Sequence, residues 1–181
     1  MTMMTPENPL YRFHYCPLCG GGQFEESGEN VRRCADCGFA YYANPRGATV
    51  ALILNARGEL LVGRRTNEPA RGTLDLVGGF VDLGETAEEA LCREIFEESG
   101  LRVDASQLRY LFSRPNIYPF SGINVHTLDL FFEIRLADNP VLRGSDDIDG
   151  LHWVPLHQVD ASLFGLRSVR EGVTKYLHTN E

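Results

Sequence analysis

The chain has no apolar run approaching the ~20 residues that cross a bilayer, which excludes a membrane-spanning helix. Its first nine residues, Met1 to Pro9, carry neither the basic n-region nor the apolar h-region of a secretory leader, so a cytoplasmic protein is expected. No internal repeat and no low-complexity tract is present, which excludes a solenoid or a repeat array. Positive charge is scarce: 17 Lys and Arg stand against 25 Asp and Glu, for a formal net charge of -8. That balance argues against avid nucleic-acid binding through a basic surface. It does not argue against phosphate chemistry, because bound divalent cations invert the sign of a site.

What is present is an ordinary soluble composition, 43% hydrophobic and 23% charged. The 181 residues suffice for one core and a small appended module. Four of the five cysteines form two matched knuckles, Cys16-x2-Cys19-Gly20 and Cys34-x2-Cys37-Gly38, separated by 14 residues. That spacing predicts a four-cysteine zinc ribbon, with a structural Zn²⁺ because four thiolates leave no position open for water. Two disulfides or a redox pair are the rival readings, and a reducing compartment disfavours the disulfides. Cys92 stands apart and reads as a small packing residue.

Three segments are expected: an N-terminal arm at 1–14, the ribbon at 15–46 and the main domain at 47–181. The continuous apolar run from Thr49 to Leu54 fits a strand buried on both faces. Further strands are expected at 60–62, 73–77, 108–113, 127–136 and 151–154, with a loop at 66–72. Val169, Val173, Tyr176 and Leu177 mark a C-terminal helix. Strands and helices interleave, which predicts an α/β domain with a mixed sheet.

Between the third and fourth of these strands lies the most informative stretch. Thr86 is placed to cap a helix with Glu89 closing a capping box, and Gly100 to stop it, giving a helix over about 87–99. At about 100° per residue, Glu94, Glu97 and Glu98 share an arc of roughly 100°. Ala87, Leu91 and Ile95 make the neighbouring apolar stripe that should face the core. Like charges so crowded destabilise a helix. A hard divalent cation compensates for this, since Mg²⁺ binds through carboxylates together with substrate phosphates. Arg93, four residues before Glu97, can neutralise and orient a carboxylate.

The full spacing, Gly79-x5-Glu85-x7-Arg93-Glu94-Ile95-x-Glu97-Glu98-x-Gly100-Leu101, matches the Nudix box at every fixed position. The chain resembles the Nudix hydrolases from about residue 47 to its C-terminus. The resemblance implies an α/β/α sandwich with the box as a loop-helix-loop, and hydrolysis of a nucleoside diphosphate linked to another group. It implies that Glu94, Glu97 and Glu98 hold Mg²⁺ or Mn²⁺ with the Gly78 carbonyl, that Glu94 assists the attacking water, and that Glu85 and Arg93 support the loop and helix. A ribbon before such a domain, with the linker Tyr42 to Pro45, is similar to the NADH pyrophosphatase branch and its FAD and ADP-ribose relatives. NADH, NAD, ADP-ribose and FAD are therefore the implied substrates, and a homodimer is common among these relatives.

The NADH pyrophosphatases follow the box with Ser-Gln-Pro-Trp-Pro-Phe-Pro-x-Ser. This chain has Ser113, Arg114, Pro115, Asn116, Ile117, Tyr118, Pro119, Phe120 and Ser121, without the Gln and Trp. Tyr118 and Phe120 could stack on a base or nicotinamide ring and Arg114 could reach a phosphate; alternatively this is a Pro-rich surface loop. Asp147, six residues before Trp153, stands where the family often has a late metal ligand, base or substrate contact, with a solvated acidic loop as the alternative. His126 is a further candidate, or a strand histidine with a satisfied hydrogen bond. Two other functions stay open: sanitation of nucleoside triphosphates, and a non-hydrolytic regulator binding a ligand or RNA through the ribbon, where Arg32, Arg33 and a few aromatics are available.

Overall fold

A computed structural model describes residues 4–140, 142 and 148–179. The chain divides into two compact units, one of residues 1–45 and 117–126, the other of residues 46–116 and 127–181.

The first unit holds a three-stranded antiparallel sheet of β1 (Phe24–Glu26), β2 (Val31–Cys34) and β3 (Ala40–Tyr42). Its buried centre is Cys16, Phe24 and Cys34, with Phe39 packed against them. The segment before Cys16 is not the loose arm expected. Asn8 caps a 3-10 helix at Pro9–Arg12, and Leu10 is fully buried. The cause lies on β2: Arg32 is buried, and a buried guanidinium must find acceptors. It donates to the carbonyls of Leu10 at 2.7 Å, Phe24 at 2.7 Å and Tyr11 at 3.3 Å. Arg32 is therefore an internal staple rather than a surface cation.

The second unit is a sheet between two helices, the α/β/α sandwich expected. The central pair is β4 (Arg46–Leu54) and β8 (Ile123–Arg135), which run parallel, Arg46 opposite Thr127 through Leu54 opposite Arg135. With β5 (Glu59–Arg65), β6 (Leu74–Asp75), β7 (Arg109–Phe120) and β9 (Ile148–Pro155), the order is β6-β5-β4-β8-β7, and β9 pairs antiparallel with β5; of β7 and β8, residues 109–116 and 127–135 lie in this unit. Side chains of β4 alternate. Val50, Leu52 and Leu54 join Phe131, Val169, Val173 and Tyr176 beneath helix α2 (Arg167–Thr179), while Ala51 and Ile53 join Leu91, Ile95, Phe132 and Ile134 beneath helix α1 (Ala87–Ser99). A strand covered on both faces needs apolar residues at every position, which is why Thr49–Leu54 reads as an unbroken run.

One feature departs from the sequence pattern and one close contact was not legible in it. Residues 113–121 are not a loop: β7 continues to Phe120 and turns through Ser121 and Gly122, both at positive φ, into β8. Pro115 and Pro119 suggest a break, but β7 is the outer strand of the sheet, the position in a sheet where proline is tolerated. The second concerns α2. It approaches β8 so closely at Gly172 that a Cβ there would overlap the ring of Phe131, itself fully buried. In Gly172→Ala, overpacking at about 1–3 kcal/mol opposes a helix-propensity gain of at most about 1 kcal/mol. The ring is fully buried, so the substitution should lower the urea midpoint, corresponding to a loss of about 1–2 kcal/mol of unfolding free energy. An unchanged midpoint would show that the helix can slide away.

Candidate functional site

The box enters its helix through a gap in the sheet. β4 and β5 are in register only at Leu54 and Leu60 and then part. Residues 77–81 fill the opening: Ala51 N–H donates to Val77 O at 2.8 Å, Thr49 N–H to Gly79 O at 2.8 Å and Val81 N–H to Gly47 O at 3.0 Å. Small residues are required there. A Cβ on Gly78 would strike the Thr49 carbonyl, and one on Gly79 would occupy the position of the Glu94 carboxylate.

Helix α1 has the expected bounds and both halves of its capping box: Glu89 N–H donates to Thr86 Oγ1 at 3.2 Å, and Thr86 N–H to Glu89 Oε2 at 2.8 Å. Gly100 ends it in the left-handed conformation, its N–H donating to Phe96 O at 2.9 Å. Leu91 and Ile95 are fully buried, which turns the acidic arc toward the loop.

Arg93 is the hub of that arc. Its Nε and Nη2 grip both oxygens of Glu85 at 2.8 and 2.9 Å, Nη1 reaches Glu94 at 2.8 Å and Glu97 at 3.3 Å, and Nη2 also donates to Phe80 O at 3.1 Å. Glu98 is buried and accepts from the Gly78 N–H at 3.0 Å. Gly78 thus meets the cluster through its amide, whereas its carbonyl was the expected ligand. Among the described residues the three glutamates do not gather their oxygens as tightly as the four cysteines gather their sulfurs. The donor set nonetheless suits a hard cation: three carboxylates lie on one helical arc, Glu97 is 56% exposed, and the space a Cβ at Gly79 would fill is left to Glu94.

The Arg93 guanidinium holds the Glu85 carboxyl down to about 2, helped by the Asp82 N–H. A folded value below the unfolded one, about 4.3, means that this pair stabilises the fold above about pH 4.3 and loses its contribution as pH falls toward 2. A carboxyl-carbon NMR titration should find Glu85 near 2, and Arg93→Ala should return it to about 4.3. A wild-type Glu85 titrating at the ordinary value would remove the hub.

In the first unit, Cys16, Cys19, Cys34 and Cys37 bring their sulfurs within 4.8 Å of one another. The Cys16–Cys37 and Cys19–Cys34 pairs stand at 3.7 and 3.6 Å. Four thiolates at about 2.3 Å from a tetrahedral zinc would lie about 3.8 Å apart, so the cage fits. The two knuckles repeat one turn: Gly20 N–H donates to Cys16 O, Gly38 N–H to Cys34 O, and both glycines take positive φ near 75°. Burial pushes the Cys16 thiol up, but the backbone amides of Cys19 and Leu18 outweigh it and hold it at about 7. The Gly21 amide pulls Cys19 down, while the thiols of Cys37 and Cys34 push it up to about 12. Four crowded thiols cannot all ionise without a cation among them.

The remaining candidates are dispersed. Arg114 lies in the second unit, its guanidinium 5.9 Å from the Phe112 ring centre and its Nε buried without a hydrogen-bond partner. Tyr118 and Phe120 belong to the first unit, ring centres 6.5 Å apart, with Phe120 exposed. Asp147 falls outside the described residues. His126 meets the Glu7 carbonyl at 3.3 Å, as a satisfied strand histidine does. Cys92 is half-buried, and burial pushes its thiol up. Sequence reasoning passed over Asp129, buried on β8 between the hydroxyls of Thr127 and Ser168. It also passed over the buried Asp75 and its pair with the part-buried Arg65. Their signal was a polar residue inside an apolar strand pattern. No helix among the described residues is long and apolar enough to cross a membrane.

Comparison with known proteins agrees with this geometry. An NAD-capped RNA hydrolase NudC of Edwardsiella ictaluri is 38% identical over 139 residues, covering 77% of this chain and 50% of that protein. The chain spans about half the length of the curated relatives it matches. A MutT NUDIX hydrolase structure from Burkholderia pseudomallei superposes with a TM-score of 0.60 at 26% identity, covering 72% of this chain and 97% of that one. A NUDIX hydrolase structure from Nitrosomonas europaea shares the fold over 91% of this chain and 90% of its own, with a TM-score of 0.68 at 18% identity. The NUDIX domain model matches residues 44–177, taking in the split sheet, the glycine loop and the capped acidic helix, and the chain belongs to that family.

Proposed function

We propose that this protein hydrolyses the pyrophosphate bond of a nucleoside diphosphate derivative, a dinucleotide or ADP-ribose-type molecule such as NADH, NAD, ADP-ribose or FAD. The observation that carries this reading is the arrangement of Glu94, Glu97 and Glu98 around Arg93 against the Gly78–Gly79 loop. Mg²⁺ or Mn²⁺ bound to those carboxylates would polarise a phosphoryl oxygen and acidify a water. The protein's own part is positional. Glu85 anchors Arg93, Arg93 spaces Glu94 and Glu97, and the Gly78 amide orients Glu98. Glu94 is the assigned acceptor of the attacking water's proton, as its carboxylate sits against the loop. Arg114 supplies a phosphate contact, Tyr118 and Phe120 stacking surfaces, and Asp147 a late acidic contact to substrate.

The four cysteines hold a structural zinc in this reading, since their sulfurs lie within 4.8 Å of one another and four thiolates would leave no ligand position for substrate. The relatives' name, NAD-capped RNA hydrolase, favours a substrate with an NAD-like end. A ribbon that docks RNA is less well supported, because Arg32 is consumed internally. The test is a panel of NADH, NAD, ADP-ribose, FAD and nucleoside triphosphates with Mg²⁺ or Mn²⁺ and product analysis. Release of two monophosphate-bearing products from a dinucleotide is expected. Cleavage of triphosphates alone would replace this reading with sanitation.

A further inference from the structure

The face of the sheet opposite the acidic helix carries a cavity of about 490 Å³ that the proposed reaction does not use. Its floor is Val62, Leu74, Val154 and Val159, which belong to the core beneath α2, whereas Leu91 and Ile95 of α1 pack on the other side of the sheet. The volume is within the roughly 300–1,000 Å³ of small-molecule sites.

The polar groups at its rim have a definite chemistry. Arg64 donates one bond, to the Gly72 carbonyl at 2.8 Å, and no carboxylate pairs with it among the described residues. Among the described side chains the rest of its planar fork, a group suited to phosphate, makes no further hydrogen bond. His152 uses Nδ1 on the Gly150 carbonyl at 2.7 Å. A carbonyl only accepts, so Nδ1 carries a proton and Nε2 remains as an acceptor for a ligand hydroxyl or N–H. Gln158 and Ser162 add an amide and a hydroxyl. The one acid in its lining, Asp160, is engaged by the Ser162 N–H at 2.8 Å. In a chain of net charge -8, this is a concave site with an apolar floor and, at its edge, a guanidinium that pairs with no carboxylate among the described side chains.

We infer that this cavity binds a nucleoside monophosphate, with the base over Val62, Leu74 and Val154, the phosphate on Arg64, a ribose hydroxyl donating to His152 Nε2, and Gln158 and Ser162 on ribose or base edges. The choice of nucleotide rests on the pyrophosphatase reading, because cleavage of a nucleoside diphosphate derivative releases a monophosphate. The ligand would act as a product signal: Leu74 in the cavity wall is four residues along the chain from Gly78, whose amide holds Glu98.

The experiment is an AMP titration of the full chain without divalent metal, followed by amide chemical shifts and calorimetry. Shifts are expected at residues 72–74, 152–154 and 158–163, with affinity lowered at least tenfold, about 1.4 kcal/mol, by Arg64→Ala and by Leu163→Glu. Leu163 is 54% exposed, so its replacement by a charge tests the rim without threatening the core. Glu97→Gln should leave AMP binding unchanged. No binding at millimolar AMP would overturn the inference, as would shifts confined to residues 78–98 or binding abolished by Glu97→Gln but not by Arg64→Ala. If AMP binds here and the panel shows no pyrophosphate cleavage, the site stands and the pyrophosphatase reading falls. Cleavage without AMP binding leaves the pyrophosphatase reading in place and removes the site.

Discussion

Glu98→Gln and Glu97→Gln should each lower turnover by about 10³-fold while the protein stays folded, a loss of about 4 kcal/mol of transition-state stabilisation. The amide has the shape of the carboxylate, and its oxygen can still accept the Gly78 N–H that Glu98 accepts at 3.0 Å. What is lost is the negative charge, and a cation's several kcal/mol of phosphoryl stabilisation depends on its being held. Glu97 is the safer fold control. It is 56% exposed and its bond to Arg93 is 3.3 Å long, so its removal should change stability by no more than about 1 kcal/mol. Steady-state hydrolysis with saturating Mg²⁺, beside circular dichroism and a thermal midpoint, checks both variants. Full activity in both would end the assignment of the acidic arc to catalysis.

Stripping metal from the cysteine cage should unfold the first unit, the largest stability effect expected for this chain. Structural zinc contributes about 10–16 kcal/mol to small metal-organised folds. Here little else can replace it. Of the three residues in the unit's buried cluster, two are the cysteines Cys16 and Cys34, leaving Phe24, with Phe39 against it, as that cluster's apolar packing, and outside it only Leu10 and Met4 are buried hydrophobics of this unit among the described residues. A chelator competition read with a chromophoric zinc indicator should release one equivalent. Amide dispersion for residues 15–42 should then collapse, with resonances of the α1 and α2 cores as the internal reference. Cys34→Ser, which removes a buried ligand, should behave the same way without chelator. A first unit that keeps its dispersion at zero metal content would show that Arg32 and its carbonyl ligands suffice to hold it.

Much of this molecule is written locally, and those parts were legible. The ends of α1 follow from Thr86, Glu89 and Gly100, because a cap is a contact between residues a few positions apart. The two faces of β4 follow from its unbroken apolar run, and the cage from two Cys-x2-Cys-Gly knuckles. These signals need no knowledge of the rest of the chain.

Other features were illegible for one shared reason: they depend on what lies across space. Pro115 and Pro119 mark a loop unless their strand is the outermost, and only the strand order makes it so. Arg32 reads as a surface cation until the carbonyls of Leu10 and Tyr11, more than twenty residues earlier, enclose it. The sequence by itself determined the acidic arc, its caps, the cysteine cage and the α/β alternation, since each is set by spacing along the chain. The tertiary structure alone decided that β4 and β5 part to admit the Gly78–Gly79 loop, that Arg93 joins Glu85 to Glu94 and Glu97, and that an arginine-edged cavity forms on the opposite face of the sheet. Hydrogen bonds and cavities between distant segments exist only once the backbone has brought those segments together, and spacing along the chain carries no record of that distance.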